Sequence, residues 1–298
     1  MAQTTHASDR IAGELAHPVV GVRVPEGSLR GDLRAIKIVW QRELIRFTKD
    51  RLRIATSLLQ PFLFLFVLGT GLSRIASAGT HGVNLRTFVY PGVLCMAVMF
   101  IAIFSAGSIV WDREFGFLRE MMVAPVRRSS LVLGKCFGGA TVAAFEGVIL
   151  ICLAGLVDVP YAPILILEIF GLQLLLAFAI SAFGAMAAAR VRQMQSFMAL
   201  TQMFIMPMFF LSGAMFPVSG LPTWLAILNR IDPLTYAVDP MRRAVFAHLH
   251  ISPLARSVLD PGVTWFGWHV PGLLEAGMVA ILGVVMLGIA VWEFSKVE

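Results

Sequence analysis

Charge is scarce in this sequence and missing altogether from long segments of it. Of the 298 residues only 14% are charged, while 58% are hydrophobic; a soluble domain usually carries about 25% charged residues. Six apolar stretches are long enough to cross a bilayer, which takes roughly 20 residues, and none contains Lys or Arg. They span residues 54–72, 87–110, 136–157, 159–189, 193–229 and 270–292. This composition excludes an ordinary soluble domain.

Signals for secretion or for a disulfide framework are also missing. The cysteines, Cys95, Cys136 and Cys152, all lie in or beside apolar stretches, which is not a disulfide pattern. Residues 1–29 lack the apolar core of a signal peptide, and we predict a disordered tail there. In lipid each backbone polar group must find its partner within its own helix. We therefore predict an all-α integral membrane protein of a bacterial plasma membrane.

The fifth stretch is too long for a single crossing. Its 37 residues would reach about 55 Å as one helix, beyond the roughly 45 Å of a whole bilayer. Pro207, Pro217 and Pro222 interrupt it. We predict a crossing from residue 193 to about 215, followed by two regions on the outer side before the last span. These are a re-entrant element over 216–240 and a loop over 241–269, within a six-span domain of residues 54–295.

The distribution of basic residues predicts the orientation. With six spans, the side that holds both termini carries 18 Lys and Arg residues and the opposite side carries 6. Both termini are therefore expected in the cytoplasm. The formal net charge of +6 follows from this topology, so we predict no nucleic-acid partner.

Residues 30–53 have the pattern of an amphipathic helix. Leu33, Ile36, Trp40, Leu44 and Phe47 recur at helical spacing, with basic residues on the other face. This pattern predicts a helix that lies in the membrane interface. An additional contact with a soluble partner is the alternative.

A charged segment, WDREFGFLREMMVAPVRR at 111–128, separates the second and third stretches. Apolar and charged side chains divide between two faces at helical spacing, and Ala124-Pro125 ends the pattern. We predict a cytoplasmic amphipathic helix over 111–124. It either transmits force from a soluble subunit or is a passive interfacial helix. The apolar face holds Trp111, Phe115, Leu118 and Met122, and the charged face holds Asp112, Arg113, Arg119 and Glu120.

Two segments resemble the permeases of type-2 ABC exporters, most closely the daunorubicin-resistance and nodulation-exporter group. DREFGFLREMMVAPVRRSSLVLGK, from Asp112, resembles their cytoplasmic loop, although Arg119 adds one residue of spacing before Glu120. PLTYAVDPMRRAVF, from Pro233, is similar to their Asn-Pro-Leu-Thr-Tyr segment, with Asp232 in place of the Asn. The resemblance covers residues ~30–295 and marks the six-span domain as a permease domain.

The resemblance implies a dimer of permeases that works with two ABC ATPase subunits. The 111–124 element would be the coupling helix. The implied substrate is an amphiphilic drug, lipid or lipid-linked compound, moved outward by alternating access; a glycan exporter of the same superfamily and an ion-coupled secondary transporter are the alternatives. The residues implied in ATPase coupling are Arg113, Glu114, Phe115, Gly116, Leu118, Arg119 and Glu120.

The sequence does not predict an enzyme. Its one Gly-Lys pair, Gly134-Lys135, has Ser129 where a phosphate loop requires Gly, so ATP and Mg²⁺ are expected on the partner ATPase and no cofactor on this chain. No His spacing with carboxylates predicts a metal site. Glu146, inside the third stretch, is costly in lipid and is a candidate for the translocation pathway, with Met203 and Met206. The alternatives are a protonated or hydrogen-bonded Glu and ordinary Met packing.

Overall fold

A computed structural model describes residues 29–71, 83–116, 127–218, 221–265 and 267–296. These residues form ten α-helices of seven or more residues and one two-stranded antiparallel sheet. The helices are α1 (Leu29–Lys49), α2 (Arg51–Phe62), α3 (Leu85–Glu114), α4 (Arg128–Cys152), α5 (Pro163–Arg190), α6 (Met194–Leu211), α7 (Thr223–Ile231), α8 (Thr235–Ala247), α9 (Pro253–Leu259) and α10 (Gly272–Lys296). The strands are β1 (Thr264–Trp265) and β2 (Trp268–His269). The predicted all-α class is confirmed.

Six helices are long and apolar enough to cross a membrane, which confirms the predicted number of spans. They are α2 with its continuation (together Arg51–Gly71), α3, α4, α5, α6 and α10. The continuation of α2 is a π-helical segment, Leu63–Leu68, followed by Gly69–Gly71.

Side-chain contacts at one end of the molecule, called the basal end, join the ends of several spans. Arg113, near the end of α3, donates a hydrogen bond to the carbonyl oxygen of Val191 after α5 (2.8 Å). Arg190, at the end of α5, pairs with Glu293 near the end of α10 (2.6 Å). The α1 helix also reaches this end.

Contacts at the opposite, distal end join the other helix termini. Thr87, in the first turn of α3, donates a hydrogen bond to the carbonyl oxygen of Val157, which follows α4 (2.8 Å). Arg86 Nη2 bonds Thr70 Oγ1 at the end of the first span (2.6 Å). The spanning helices therefore alternate in direction between the two ends.

The second spanning helix, α3, forms the centre of the bundle. Nearly all its side chains from Thr87 to Val110 are buried, and α4, α5, α6 and α8 pack around it. In contrast, α2, α6 and α10 each leave most of their surface outside the core. Surface that is apolar and uncovered on a spanning helix suits contact with lipid or with another chain.

The first helical boundary differs from the prediction of one helix over 30–53. The α1 helix ends at Lys49, and Asp50 caps the start of α2 by accepting a hydrogen bond from the backbone N–H of Arg53 (3.1 Å). A capping carboxylate satisfies a backbone donor that has no partner within the helix. Residues 51–53 therefore begin the first span.

The fifth stretch leaves its spanning helix after Leu211. Gly213 adopts a φ of +72°, a left-handed conformation that favours glycine. The buried Arg242 on α8 holds this turn, because it donates a hydrogen bond to the Gly213 carbonyl oxygen (2.5 Å) and lies 4.5 Å over the Phe88 ring. The predicted re-entrant segment thus holds α7 and the first half of α8. The 241–269 segment contains helix at both Met241–Ala247 and α9, where only a loop was predicted.

Candidate functional site

Two glycines bring α1 unusually close to α4. A Cβ atom built on Gly134 would lie 2.7 Å from the Cβ atom of Val39, and one on Gly138 would lie 2.8 Å from the Cβ atom of Glu43. Both distances are shorter than normal carbon contacts, so only glycine fits. Small residues four apart allow two helix backbones to approach closely.

At this crossing lies the basal ion cluster, which consists of Arg42, Glu43, Asp112 and Lys135. The Lys135 ammonium contacts Glu43 Oε1 at 2.6 Å, Asp112 Oδ2 at 2.5 Å and Ser108 Oγ at 2.9 Å. Arg42 Nη2 lies 2.7 Å from both oxygens of Asp112. Two cations balance two carboxylates, and this arrangement lets the cluster tolerate burial. The cluster joins α1 to the lower parts of α3 and α4.

The ion cluster accounts for the charged part of the face that α1 buries against the protein, a face that shares Phe47 with the predicted apolar one. Leu33 is 66% exposed, whereas Glu43 is 4% exposed. The residues that α1 buries are Asp32, Val39, Glu43 and Phe47. Ion pairing with α3 and α4, together with the glycine contact, turns this partly charged face towards the protein.

Trp111–Glu114, predicted to begin a separate coupling helix, are instead the last residues of α3. Arg113 holds the end of α5 by donating a hydrogen bond to the carbonyl oxygen of Val191, as described above. Glu114 Oε2 accepts a hydrogen bond from the backbone N–H of Met194, at the start of α6 (3.1 Å). Both side chains therefore position neighbouring spans.

The two residues after α3 are free of such contacts. Phe115 is 70% exposed. Gly116 has a φ of +83°, and a Cβ atom built on it meets nothing within 4 Å. Leu118, Arg119 and Glu120 lie outside the described residues, so their coupling role stays a prediction.

The structure places the three predicted pathway residues on two helices, α4 and α6. Glu146 is fully buried on α4, and neither of its carboxylate oxygens has a hydrogen-bond partner among the described residues. Met203 and Met206 lie on α6 and are 61% and 38% exposed. Met203 borders a groove between α5, α6 and α10 of about 330 Å³; neither Glu146 nor Met206 lines it.

One carboxylate lines this α5–α6–α10 groove. Asp232, between α7 and α8, is 4% exposed. The backbone N–H of Leu234 donates to its Oδ1 (3.1 Å) and the Thr235 hydroxyl to its Oδ2 (3.5 Å). Burial raises the pKa of Asp232 from 3.8 to about 7, because a charged form is poorly solvated there. Sequence reasoning noted Asp232 only as a departure from the Asn of related permeases.

A second charged cluster, at the distal end, was not predicted. Arg243 on α8 pairs with Asp239 and, at 2.9 Å, with Glu275 on α10, which is fully buried. The sequence feature that could have indicated this cluster is Glu275, a carboxylate about one turn inside the apolar stretch 270–292. These pairs hold α8 against the start of the last span.

The bundle of alternating apolar helices defines a multi-pass α-helical membrane protein. Residues 34–246 match the family model described as ABC-2 type transporter, and this match covers well over half of the chain. The chain therefore belongs to the ABC-2 type transporter family, whose members are permeases that work with ATPase subunits.

Several curated proteins are similar over most of the chain. The transport permease ycf38 of Cyanophora paradoxa is 29% identical over 76% of this chain and 78% of its own length. Nodulation protein J of Rhizobium leguminosarum bv. viciae is 25% identical over 81% of this chain and 92% of its own. The multidrug ABC transporter permease YbhR of Escherichia coli strain K12 is 26% identical over 52% of this chain and 42% of its own. The similarity thus extends across both the basal and the distal elements.

Proposed function

We propose that this chain is the permease subunit of an ATP-driven exporter in a bacterial plasma membrane. It carries an amphiphilic drug, lipid or lipid-linked compound out of the cytoplasm or inner leaflet by alternating access. A separate ABC ATPase hydrolyses the ATP. The basal end faces the cytoplasm, with both termini there, because the basic residues concentrate on that side.

The observation that carries the proposal is the basal ion cluster. It joins α1, α3 and α4 immediately before and after the segment proposed to contact the ATPase. The buried Asp112 lies two residues before Glu114, where α3 ends, and Lys135 lies two turns into α4. A push on the 115–126 segment would therefore move three helices together rather than bend one of them.

The contact with the ATPase is assigned to the exposed part of the segment. Phe115 and Gly116 lie at the surface, and Leu118, Arg119 and Glu120 follow them in the sequence. Arg113 and Glu114 act behind this surface, because they hold the adjoining ends of α5 and α6. ATP-driven closure would thereby reach α5 and α6 as well; a shift of conformation requires contacts that differ between the two states.

A second copy of the permease completes the transporter. The uncovered apolar surfaces of α2 and α6 are available for this contact, which would enclose a pathway between two copies. Glu146, behind α2, and the Met residues of α6 would then lie near that interface. A heterodimer with a related permease would use the same surfaces.

The test is to co-express this chain with candidate ABC ATPases from the same genome, beginning with any that is encoded next to it, and to purify the complex through a tag on the permease. The ATPase should co-purify, and its hydrolysis rate in proteoliposomes should respond to amphiphilic substrates. Two variants are compared: Phe115→Ala tests the contact, and Phe145→Ala is the matched control. Both rings are exposed, at 70% and 55%. Loss of ATPase binding only in Phe115→Ala supports the proposed contact. Failure of the wild-type chain to bind any ABC ATPase refutes the proposed function.

A further inference from the structure

The α5–α6–α10 groove combines an apolar wall with one ionisable group. Its volume is about 330 Å³, and the residues that line it in the described part of the chain are apolar except for Asp232. The wall includes Phe183 of α5, Met203 and Phe204 of α6, and Met286 of α10. Aromatic rings and Met side chains form an adaptable surface for bulky apolar groups.

The Asp232 carboxylate lacks a balancing charge. Within the described ranges, no Lys, Arg or His nitrogen forms an ion pair with it, whereas the buried carboxylates of Asp239 and Glu275 both pair with Arg243. In the part of the chain that the structure describes, its oxygens accept hydrogen bonds from the backbone N–H of Leu234 and, at 3.5 Å, from the Thr235 hydroxyl. An ionised carboxylate has about four acceptor positions, so it retains capacity for another partner. A buried carboxylate without a cation is unfavourable.

The groove is accessible from the side of the bundle. Met203 is 61% exposed and Phe204 is 42% exposed on α6, and Ile231 at the end of α7 is 71% exposed. A molecule dissolved in the bilayer could therefore enter between α6 and α7 without crossing the core. The carboxylate lies at the end of the groove where α7 meets α8.

We infer that this groove binds a monovalent lipophilic cation, with its positive centre beside Asp232 and its apolar groups against Phe183, Met203 and Met286. The apolar wall supplies burial, and the cation supplies the charge that the carboxylate lacks. A neutral or anionic amphiphile of the same shape gains only the free energy of apolar burial and not that of the ion pair. The inference names a substrate class for the proposed exporter, and it rests on that function only for the claim that the ligand is carried.

The binding test needs neither an ATPase nor ATP. The purified chain is placed in phosphatidylcholine nanodiscs at pH 8, and equilibrium binding of tetraphenylphosphonium is measured, with empty nanodiscs subtracted. Tetraphenylborate is the counterpart with the same shape and opposite charge. We expect saturable binding of the cation only. Equal saturable binding of both ions, or none of the cation, would overturn the inference in favour of a groove filled by lipid or by the second permease copy.

Three substitutions locate the binding to the groove. Asp232→Asn keeps the side-chain oxygen that accepts the hydrogen bond from Leu234 but removes the charge, so it should weaken binding of the cation about tenfold or more. Asp232→Glu keeps the charge and should retain binding of the cation. Asp158→Asn removes an exposed carboxylate after α4 and should leave binding unchanged. If Asp232→Asn does not fold, thermal unfolding of the wild-type chain decides: tetraphenylphosphonium should raise the midpoint and tetraphenylborate should not. Wild-type affinity in Asp232→Asn would remove the site.

The two proposals fail separately. Charge-selective binding through Asp232 without ATP-driven transport would refute the exporter function and leave the groove as a cation site. ATP-driven transport with no binding of the cation would refute the groove and leave the exporter function in place.

Discussion

The ammonium group of Lys135 lies 2.5 Å from the carboxylate of Asp112, and both side chains are buried, each 6% exposed. Lys135 belongs to α4 and Asp112 to α3. Glu43 of α1 completes the contact on the other side of the ammonium group. One side chain thus holds together the three helices that surround the segment between α3 and α4.

Replacing Lys135 with Met should destabilise the chain strongly. Of the two cations in the cluster, the substitution would leave Arg42, which contacts Asp112, while Glu43 would lose its ion pair. Loss of one partner from a buried ion pair costs about 3–5 kcal/mol. The midpoint of thermal unfolding in detergent should fall accordingly. The control is Arg190→Met, which breaks an ion pair whose Arg side chain is 72% exposed and should lower the midpoint far less, because solvent screens an exposed pair. Equal effects would contradict a structural role for the cluster.

The close contact of α1 with α4 predicts opposite effects for two Gly-to-Ala substitutions. In Gly138→Ala the added Cβ atom would lie 2.8 Å from the Cβ atom of Glu43, and such overpacking costs about 1–3 kcal/mol. Gly171→Ala on α5 meets nothing within 4 Å and should stabilise its helix by up to about 1 kcal/mol. Thermal unfolding of both variants checks this. A neutral Gly138→Ala would mean that α1 does not dock on α4.

Gly116→Pro should uncouple ATP hydrolysis from transport. Gly116 has a φ of +83°, whereas Pro fixes φ near −65°, so the segment after α3 would leave in another direction. The variant should insert and purify normally, because none of the described residues lies within 4 Å of a Cβ atom built at this position. Substrate-stimulated hydrolysis and transport in proteoliposomes should fall at least about tenfold.

The matched control for that variant is Gly267→Pro at the distal end. Gly267 has a φ of +85° and likewise has nothing within 4 Å of a Cβ atom. The Gly267→Pro variant should still couple ATP hydrolysis to transport. Loss of coupling in both variants, or in neither, would remove the assigned role of the segment.

The stability of the wild-type chain should fall as pH rises through the titration of Asp232. The pKa of this group is raised from 3.8 to about 7 in the folded protein. Between those values the folded chain retains a proton that the unfolded chain releases, so the free energy of unfolding decreases with pH. The loss begins above pH 3.8 and is complete above pH 7. A pKa shift of one unit corresponds to about 1.4 kcal/mol, so the free energy of unfolding should fall by at most about 4 kcal/mol.

Asp232→Asn should abolish this contribution. The variant should unfold at a higher temperature than the wild type at pH 8, and the two should be similar at pH 4. Asp158→Asn, an exposed change of the same kind, should follow the wild-type profile. Identical pH profiles for Asp232→Asn and the wild type would show that Asp232 is not buried as described.

The spanning helices could be predicted because lipid imposes a requirement on composition along the chain. A stretch such as 87–110 must be apolar throughout, and it can be recognised without any knowledge of its neighbours. Gly213 likewise marks the end of a helix by its own backbone chemistry, whereas Pro207, predicted to interrupt the stretch, lies inside α6. These features are local in the sequence.

The charged contacts could not be predicted in the same way. Glu43 and Lys135 are 92 residues apart, and nothing in the sequence pairs these two among the many charges at the basal end. Periodicity assigned Leu33 to the apolar, membrane-facing side of α1, and it could not show which charged residues of α1 would pair with α3 and α4. Asp232 became informative only when α5, α6 and α10 were found around it.

ATP-dependent transport is the most direct measurement of the central claim. Inside-out proteoliposomes that hold this chain and its ABC ATPase would be supplied with an amphiphilic substrate, with and without ATP, and with and without an imposed proton gradient. We predict uptake that requires ATP, ignores the gradient, and stops when the phosphate-loop Lys of the ATPase is replaced. Uptake that persists without ATP and follows the proton gradient would contradict the account.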